Sequence, residues 1–317
     1  MTDSILSAAH FHDEQAAYDY VESRIWANGR VCPHCGVIGD SVKLAGKSTR
    51  IGTYKCRARG CRKPFTVKVG TIFEKSHIPM RLWLQGMYLM ASSKKGISTN
   101  QLHRTLGITI KAAWFMSHRI REAMNDGNYG LDPLGKMGGA VEVDETFIGR
   151  DFNKKPQGEK KGRGTGHKYK VVSLVDRIRG YARSVVVDDL KTKTLLPILR
   201  ANIHPHARLM TDEASQYRKL GKMFASHGFT NHRDGMYVSP IDRHIHSNTV
   251  EGFFSIFKRG MKGIYQHCAH NHLQRYVTEF DFRYNNRKAN GIEDSERADI
   301  LLRGVVGKRL TYRTVAE

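Results

Sequence analysis

The chain has 317 residues, room for about two domains, and a 40% hydrophobic content is ample for a folded core. Lys and Arg outnumber Asp and Glu by 52 to 30, a formal net charge of +22, which points to a polyanionic partner, nucleic acid above all. No apolar run approaches the roughly 18 residues of a membrane helix, no signal-peptide core opens the chain, and the charge is not gathered on one amphipathic helix. The expectation is a protein without a membrane partner, cytoplasmic and associated with the nucleoid.

In chain order, residues 1–30 lead in with a short helix between Phe11 and Asn28, where Ala17, Tyr20, Val21 and Ile25 recur at helical spacing. Residues 31–75 hold Cys32-Pro-His-Cys35 and Cys56-Arg-Ala-Arg-Gly-Cys61. Two close cysteine pairs in a cytoplasmic chain read as a zinc site, because that compartment keeps thiols reduced. Four thiolates, Cys32, Cys35, Cys56 and Cys61, close a tetrahedral shell, so the Zn²⁺ is expected to be structural. His34 is then left idle, and the fifth cysteine, Cys268, reads as a buried small hydrophobe. Between Arg30 and Lys75 there are eleven Lys or Arg and two acids. The ribbon is basic, either as a solvated face or as a DNA contact.

Residues 76–128 read as a helix-turn-helix-like DNA-binding region. Ile78-Pro79 opens a helix with Leu82, Trp83, Met87 and Met90 as its apolar stripe, closed by Gly96. Ser98-Thr-Asn-Gln101 has capping-box spacing and starts a second helix to Thr105. After the turn Leu106-Gly107-Ile108 a third helix runs from about Thr109 to Met124. Its expected outward residues are Lys111, Arg119 and Arg121, and its inward ones Ala112, Phe115, Met116 and Ile120. An ordinary helical unit shares this pattern. Asn125 to Gly138 reads as a linker.

A further domain is expected over 136–290. Gly139 to Gly149 alternates like a strand, with Glu142, Asp144 and Thr146 on one face and Val141, Val143 and Phe147 on the other. Taken alone it reads as an edge strand with a solvated polar face. Arg150 to Lys170 carries eight Lys or Arg, Lys160 and Lys161 among them, and two acids, a composition suited to following a phosphate backbone. Strands follow at Lys170–Val175 and Ala182–Val187, joined by a turn at Asp176–Gly180, then a helix from Thr192 to Arg200. The next strand, Ala207 to Ala214, brings a second carboxylate, Asp212. Past a polar loop, Asn248 to Glu251 has capping-box spacing, and the helix it opens puts Glu251, Ser255 and Lys258 on one face. Another helix, about Asn271 to Asn286, turns Leu273, Tyr276, Val277, Phe280 and Tyr284 inward, and the tail 291–317 adds a basic amphipathic helix.

Asp144, Asp212 and Glu251 are separated by 68 and 39 residues, enough chain for these elements to converge. Converging carboxylates raise one another's pKa unless cations sit among them. Hard oxygen ligands select Mg²⁺ or Mn²⁺, and two such ions can drive displacement at phosphorus.

The segments VEVDETFIG, LMTDEASQY, HSNTVEGFFSIFKRG and HLQRYVTEFDFRYNNR resemble those of insertion-sequence transposases of the DDE class, and VCPHC…CRARGC fits the branch with an N-terminal zinc ribbon. The resemblance runs from about Phe11 to Arg313. It implies an α/β, RNase H-like catalytic domain with a mixed central sheet, preceded by the ribbon and the helical region. It also implies cleavage at terminal inverted repeats and joining of 3′ ends to target DNA, by a homo-oligomer on double-stranded DNA. On that likeness Asp144 would touch both metal ions, Asp212 and Glu251 one each, and Lys258, with Arg259 beside it, would contact DNA. Relatives place Glu or Asn at the third position, and both Glu251 and Asn248 are present. A DNA-binding regulator, an inactivated copy, is the alternative; it leaves the three carboxylate blocks without a use.

Overall fold

The computed structural model describes residues 4–125, 127, 132–150, 167–230, 238–240 and 242–311. The chain divides into two compact units: residues 1–93, 97–125 and 292–317, and residues 94–96 with 126–291.

The first unit begins with α1 (Glu14–Ile25), whose N-terminus is capped by Asp13 accepting from the Ala16 N–H at 2.7 Å. Three short antiparallel strands follow, β1 (Ser41–Lys43), β2 (Tyr54–Cys56) and β3 (Pro64–Phe65). Their small core is aromatic: Trp26 meets Tyr54 and Phe65 edge-on, at 5.5 and 6.0 Å between ring centroids. α2 (Met80–Ser92) has Pro79 at its N-cap, which offers no side-chain acceptor. The carboxylate of Glu14, far back in the sequence, accepts instead from the N–H groups of Met80 (2.6 Å) and Arg81 (3.1 Å). α3 (Thr99–Leu106) is capped by Ser98 as its spacing predicts, and Gly107 turns the chain with φ +63°. α4 (Ile110–Met124) follows, capped by Thr109.

The outward reading of α4 is corrected in part. Lys111 is exposed, but Arg119 and Arg121 are buried, at 6% and 1% exposure. The Arg119 guanidinium donates to the carbonyls of Ile72 (2.7 Å), Glu74 (2.9 Å) and Leu310 (3.1 Å), and Arg121 donates to Ser117 Oγ at 3.0 Å. The reason is crowding: α4 packs on α2, on α3 and on the chain's last helix, so little of it faces water. A buried guanidinium must then find acceptors.

The second unit is three-layered. Its sheet combines β4 (Ala140–Ile148), β5 (Tyr169–Asp176), β6 (Tyr181–Val187), β7 (Arg208–Asp212) and β8 (Ser226–Thr230), in the order β6-β5-β4-β7-β8. The first three strands are antiparallel, and β4, β7 and β8 are parallel. This is the mixed sheet of an RNase H-like domain, with β4 at its centre and not at an edge. One face packs Val141, Val143, Leu174 and Leu209 on α5 (Thr192–Asn202) and α6 (Ser215–Leu220). The other packs Ile148, Val171 and Val175 on α7 (Asn248–Gly260) and α8 (His270–Asn285). α9 (Asp294–Arg303) returns the chain to the first unit.

Two elements were not foreseen, α6 and β8. Ser-His-Gly-Phe-Thr has no apolar alternation, and its strand character comes from pairing with β7. Leu134, in the expected linker, is fully buried; its N–H donates to Asn202 O at 2.7 Å. The outer edge of β6 is covered by side chains of α8. Gln274 and Asp281 accept from the N–H groups of Val186 and Ser184, and Asn285 bonds both backbone groups of Ala182. That spends the donors an edge strand would otherwise expose. Cys268, expected buried, is half-exposed and lines a cavity of about 280 Å³ beside Lys168 and Lys262.

Candidate functional site

Two clusters of ligand-type side chains stand out among the described residues, one in each unit. In the ribbon, the knuckle at Cys32–Gly36 closes with Gly36 N donating to Cys32 O, and Gly36 and Gly60 adopt φ +76° and +84°. The four sulfurs of Cys32, Cys35, Cys56 and Cys61 lie within 4.8 Å of one another. Cys32 and Cys61 are 3.8 Å apart, Cys35 and Cys56 3.7 Å. A tetrahedral zinc with Zn–S bonds near 2.3 Å sets its sulfurs about 3.8 Å apart, so the donor set fits that ion. His34 is not part of it; its Nε2 lies 3.3 Å from Pro64 O.

The acidic cluster arises from the way two neighbouring strands part. The parallel ladder of β4 and β7 ends at Glu142↔Met210, while β4 stays paired to β5 as far as Ile148 and β7 to β8 as far as Asp212. Asp144 and Asp212 each stand two residues beyond that last pair, so continuing the register would set them opposite each other. The strands open there, and the carboxylates of Asp144, Asp212 and Glu145 meet within 4.8 Å. Asp212 Oδ1 accepts from Ala214 N at 3.0 Å. Glu145 points to the α6 face, where its Oε1 accepts from Tyr217 OH at 2.5 Å and from Gln216 at 3.4 Å.

The electrostatics are those of a site short of positive charge. Burial pushes the Asp144 carboxyl up to about 8, and the charges of Glu145, Asp212 and Glu251 add to the shift. Glu145 is also raised by burial, against the pull of the Tyr217 hydroxyl. An all-oxygen donor set in which Asp144 and Glu145 resist ionising suits a hard divalent cation.

Glu251 lies in the first turn of α7, outside the 4.8 Å cluster but near enough for its charge to act on Asp144. The expected capping box is not what forms. Ser247 occupies the N-cap, Asn248 is the first helical residue, and Ser247 Oγ donates to Glu251 Oε1 at 3.1 Å. Further along the same face, Lys258 is half-buried with Nζ 5.9 Å from the centre of the Phe254 ring. Arg259 is exposed and folds back on Ser255 O and Oγ, both at 3.0 Å. Lys160 and Lys161 lie outside the described residues.

Sequence reasoning missed Glu145, because strand alternation assigns it to the face opposite Asp144. Only the parting of β4 from β7 lets both carboxylates reach one space. Tyr217 gave no signal either, being the one aromatic residue of a six-residue helix.

A mixed-sheet α/β domain with a half-buried acidic cluster where its central strands part, in a chain that also carries a four-thiolate ribbon, defines the class: a DDE-type nucleic-acid enzyme with a zinc ribbon. Comparison with known proteins narrows this. The sequence profile of the ISXO2-like transposase domain matches residues 136–285, and that of the transposase zinc-ribbon domain residues 12–64. Together the two matches give the chain the make-up of a DDE-class insertion-sequence transposase with an N-terminal zinc ribbon. It is 26% identical over 285 residues to an uncharacterized protein in transposable element ISH50 of Halobacterium salinarum, covering 86% of this chain and 91% of the relative. It is 28% identical over 103 residues to an uncharacterized transposase-like protein of Haemophilus influenzae, covering 32% of this chain and 80% of the relative. Among the described residues no helix is long and apolar enough to cross a membrane.

Proposed function

We propose that this protein binds the terminal inverted repeats of its own element, nicks the DNA at the ends and joins the freed 3′ ends to target DNA. The meeting of Asp144, Glu145 and Asp212 carries the reading; a DNA-binding regulator would have no use for three half-buried acids gathered in one space. Divalent ions bound there, Mg²⁺ or Mn²⁺, would activate an attacking oxygen and stabilise the leaving oxygen on phosphorus.

The chain's part is to hold the oxygens in place. Asp144 and Asp212 are ligands, and Glu145 joins them from the α6 face. Glu251 is the third element's ligand in preference to Asn248, since a carboxylate supplies charge that an amide lacks. Lys258 meets the phosphate backbone beside the centre. In the nick, water attacks phosphorus and the 3′ oxygen leaves; in joining, that 3′-hydroxyl attacks a target phosphate and the target's 3′ oxygen leaves. Two element ends per event imply more than one protomer on the DNA. Such work is done in the cytoplasm, on the nucleoid.

The test is purified zinc-loaded protein with labelled end DNA and Mg²⁺. Asp144→Asn and Asp212→Asn should bind ends as the parent does and lose nicking by orders of magnitude. Glu251→Gln should do the same, while Asn248→Ala keeps activity. Full nicking by Asp144→Asn would overturn the reading.

A further inference from the structure

Glu142 has no place in the chemistry above, yet it is fully buried two residues before Asp144 on the same face of β4. Its Oε2 accepts from the Val250 N–H of α7 at 2.8 Å, and its Oε1 accepts from Arg177 Nε at 2.5 Å, with His246 Nδ1 3.3 Å away. The other two nitrogens of Arg177 donate to the carbonyls of His244 and His246, each at 2.6 Å. One carboxylate thus ties together β4, the turn after β5 and the segment that enters α7.

α7 needs such a tie. Its N-cap residue, Ser247, makes no side-chain bond to the first-turn N–H groups; its hydroxyl turns to Glu251. The Val250 N–H is therefore met by a residue 108 positions away, with the carboxylate at the favourable end of the helix dipole. An apolar pair of the same volume would stabilise this interior about as well as the ion pair does. What the carboxylate adds is direction, and the residue directly after Val250 is Glu251.

We propose that Glu142 is a positioning residue: by seating the first turn of α7 against β4 it sets Glu251 toward the centre formed by Asp144 and Asp212. This rests on the reading of that centre as a divalent-metal site. The same strand then carries both a ligand and the residue that aims a ligand from another element.

The test is Mn²⁺ binding to zinc-loaded, DNA-free protein, followed by the electron paramagnetic resonance of free Mn²⁺. Glu142→Gln keeps the volume and one acceptor, and should weaken binding roughly tenfold or more, as loss of a residue that orients a ligand does. Glu251→Gln should weaken it too. The double variant should bind no more weakly than Glu251→Gln alone, because Glu142 acts through Glu251. If Glu142→Gln does not fold, Arg177→Gln releases the same carboxylate and the α7 entry from a partly exposed position, and should shift Mn²⁺ binding alike. Unchanged affinity in the folded variant, or losses that add fully in the double variant, would overturn the inference. Wild-type protein that binds no Mn²⁺ would instead overturn the metal-site reading beneath it.

Discussion

Asp144 is held near pKa 8 by burial and by the charges of Glu145, Asp212 and Glu251, against about 3.9 for a free aspartate. In the folded, magnesium-free protein it keeps its proton up to about pH 8; in the unfolded chain it loses it near pH 4. Folding takes up a proton between those values, so this group's contribution to stability is lost as pH rises from about 4 to 8. Asp144→Asn removes the conflict. In magnesium-free buffer the variant should melt close to wild type at pH 4 and above it at pH 8. Calorimetry showing the same offset at both pH values would mean that Asp144 ionises normally. Glu145 is raised by the same burial, which also explains why neither acid can be read as an ordinary surface carboxylate.

The elements themselves were largely legible. α3 begins at Ser98 and α4 at Thr109, where a hydroxyl accepts from the N–H three residues on, and that rule is local enough to be read from spacing. α2 and α7 begin where expected, but distant carboxylates cap them: Glu14 for Met80 and Arg81, and Glu142 for Val250. No local pattern announces such a cap. The sides of α4 were misread for a related reason, since three packed neighbours leave a helix no wide solvent face and its arginines turn to carbonyls. Arg119→Ala would leave three carbonyls without their donor, and should cost about 2–4 kcal/mol. The expected result is a lower melting temperature with the salt dependence of DNA binding unchanged. Unchanged melting with a salt slope smaller by about 0.9 would return Arg119 to the DNA surface.

For the molecule as a whole, a net charge of +22 makes DNA binding strongly salt-dependent. Each phosphate neutralised contributes about −0.9 to the log–log slope on duplex. Replacing Lys154, Lys155, Lys160 and Lys161 with Gln should flatten that slope by about 0.9 for each phosphate the run had neutralised, and leave preference for the element's ends unchanged. A collapse of that preference with an intact slope would make the run a reader of bases.

Cysteine spacing, the acidic strand and the capping hydroxyls are carried by residues near one another in the chain, and the sequence by itself determined the ribbon, most helices and the elements that carry Asp144, Asp212 and Glu251. Tertiary structure alone decided that β4 is central, that β8 exists, and that Glu145 shares a space with Asp144. It also made Glu142 a cap for a helix 108 residues on. The physical reason is that periodicity reports only which way a side chain faces. Which partner it meets there depends on strand order and on where paired strands part, and both follow from packing between segments far apart in sequence.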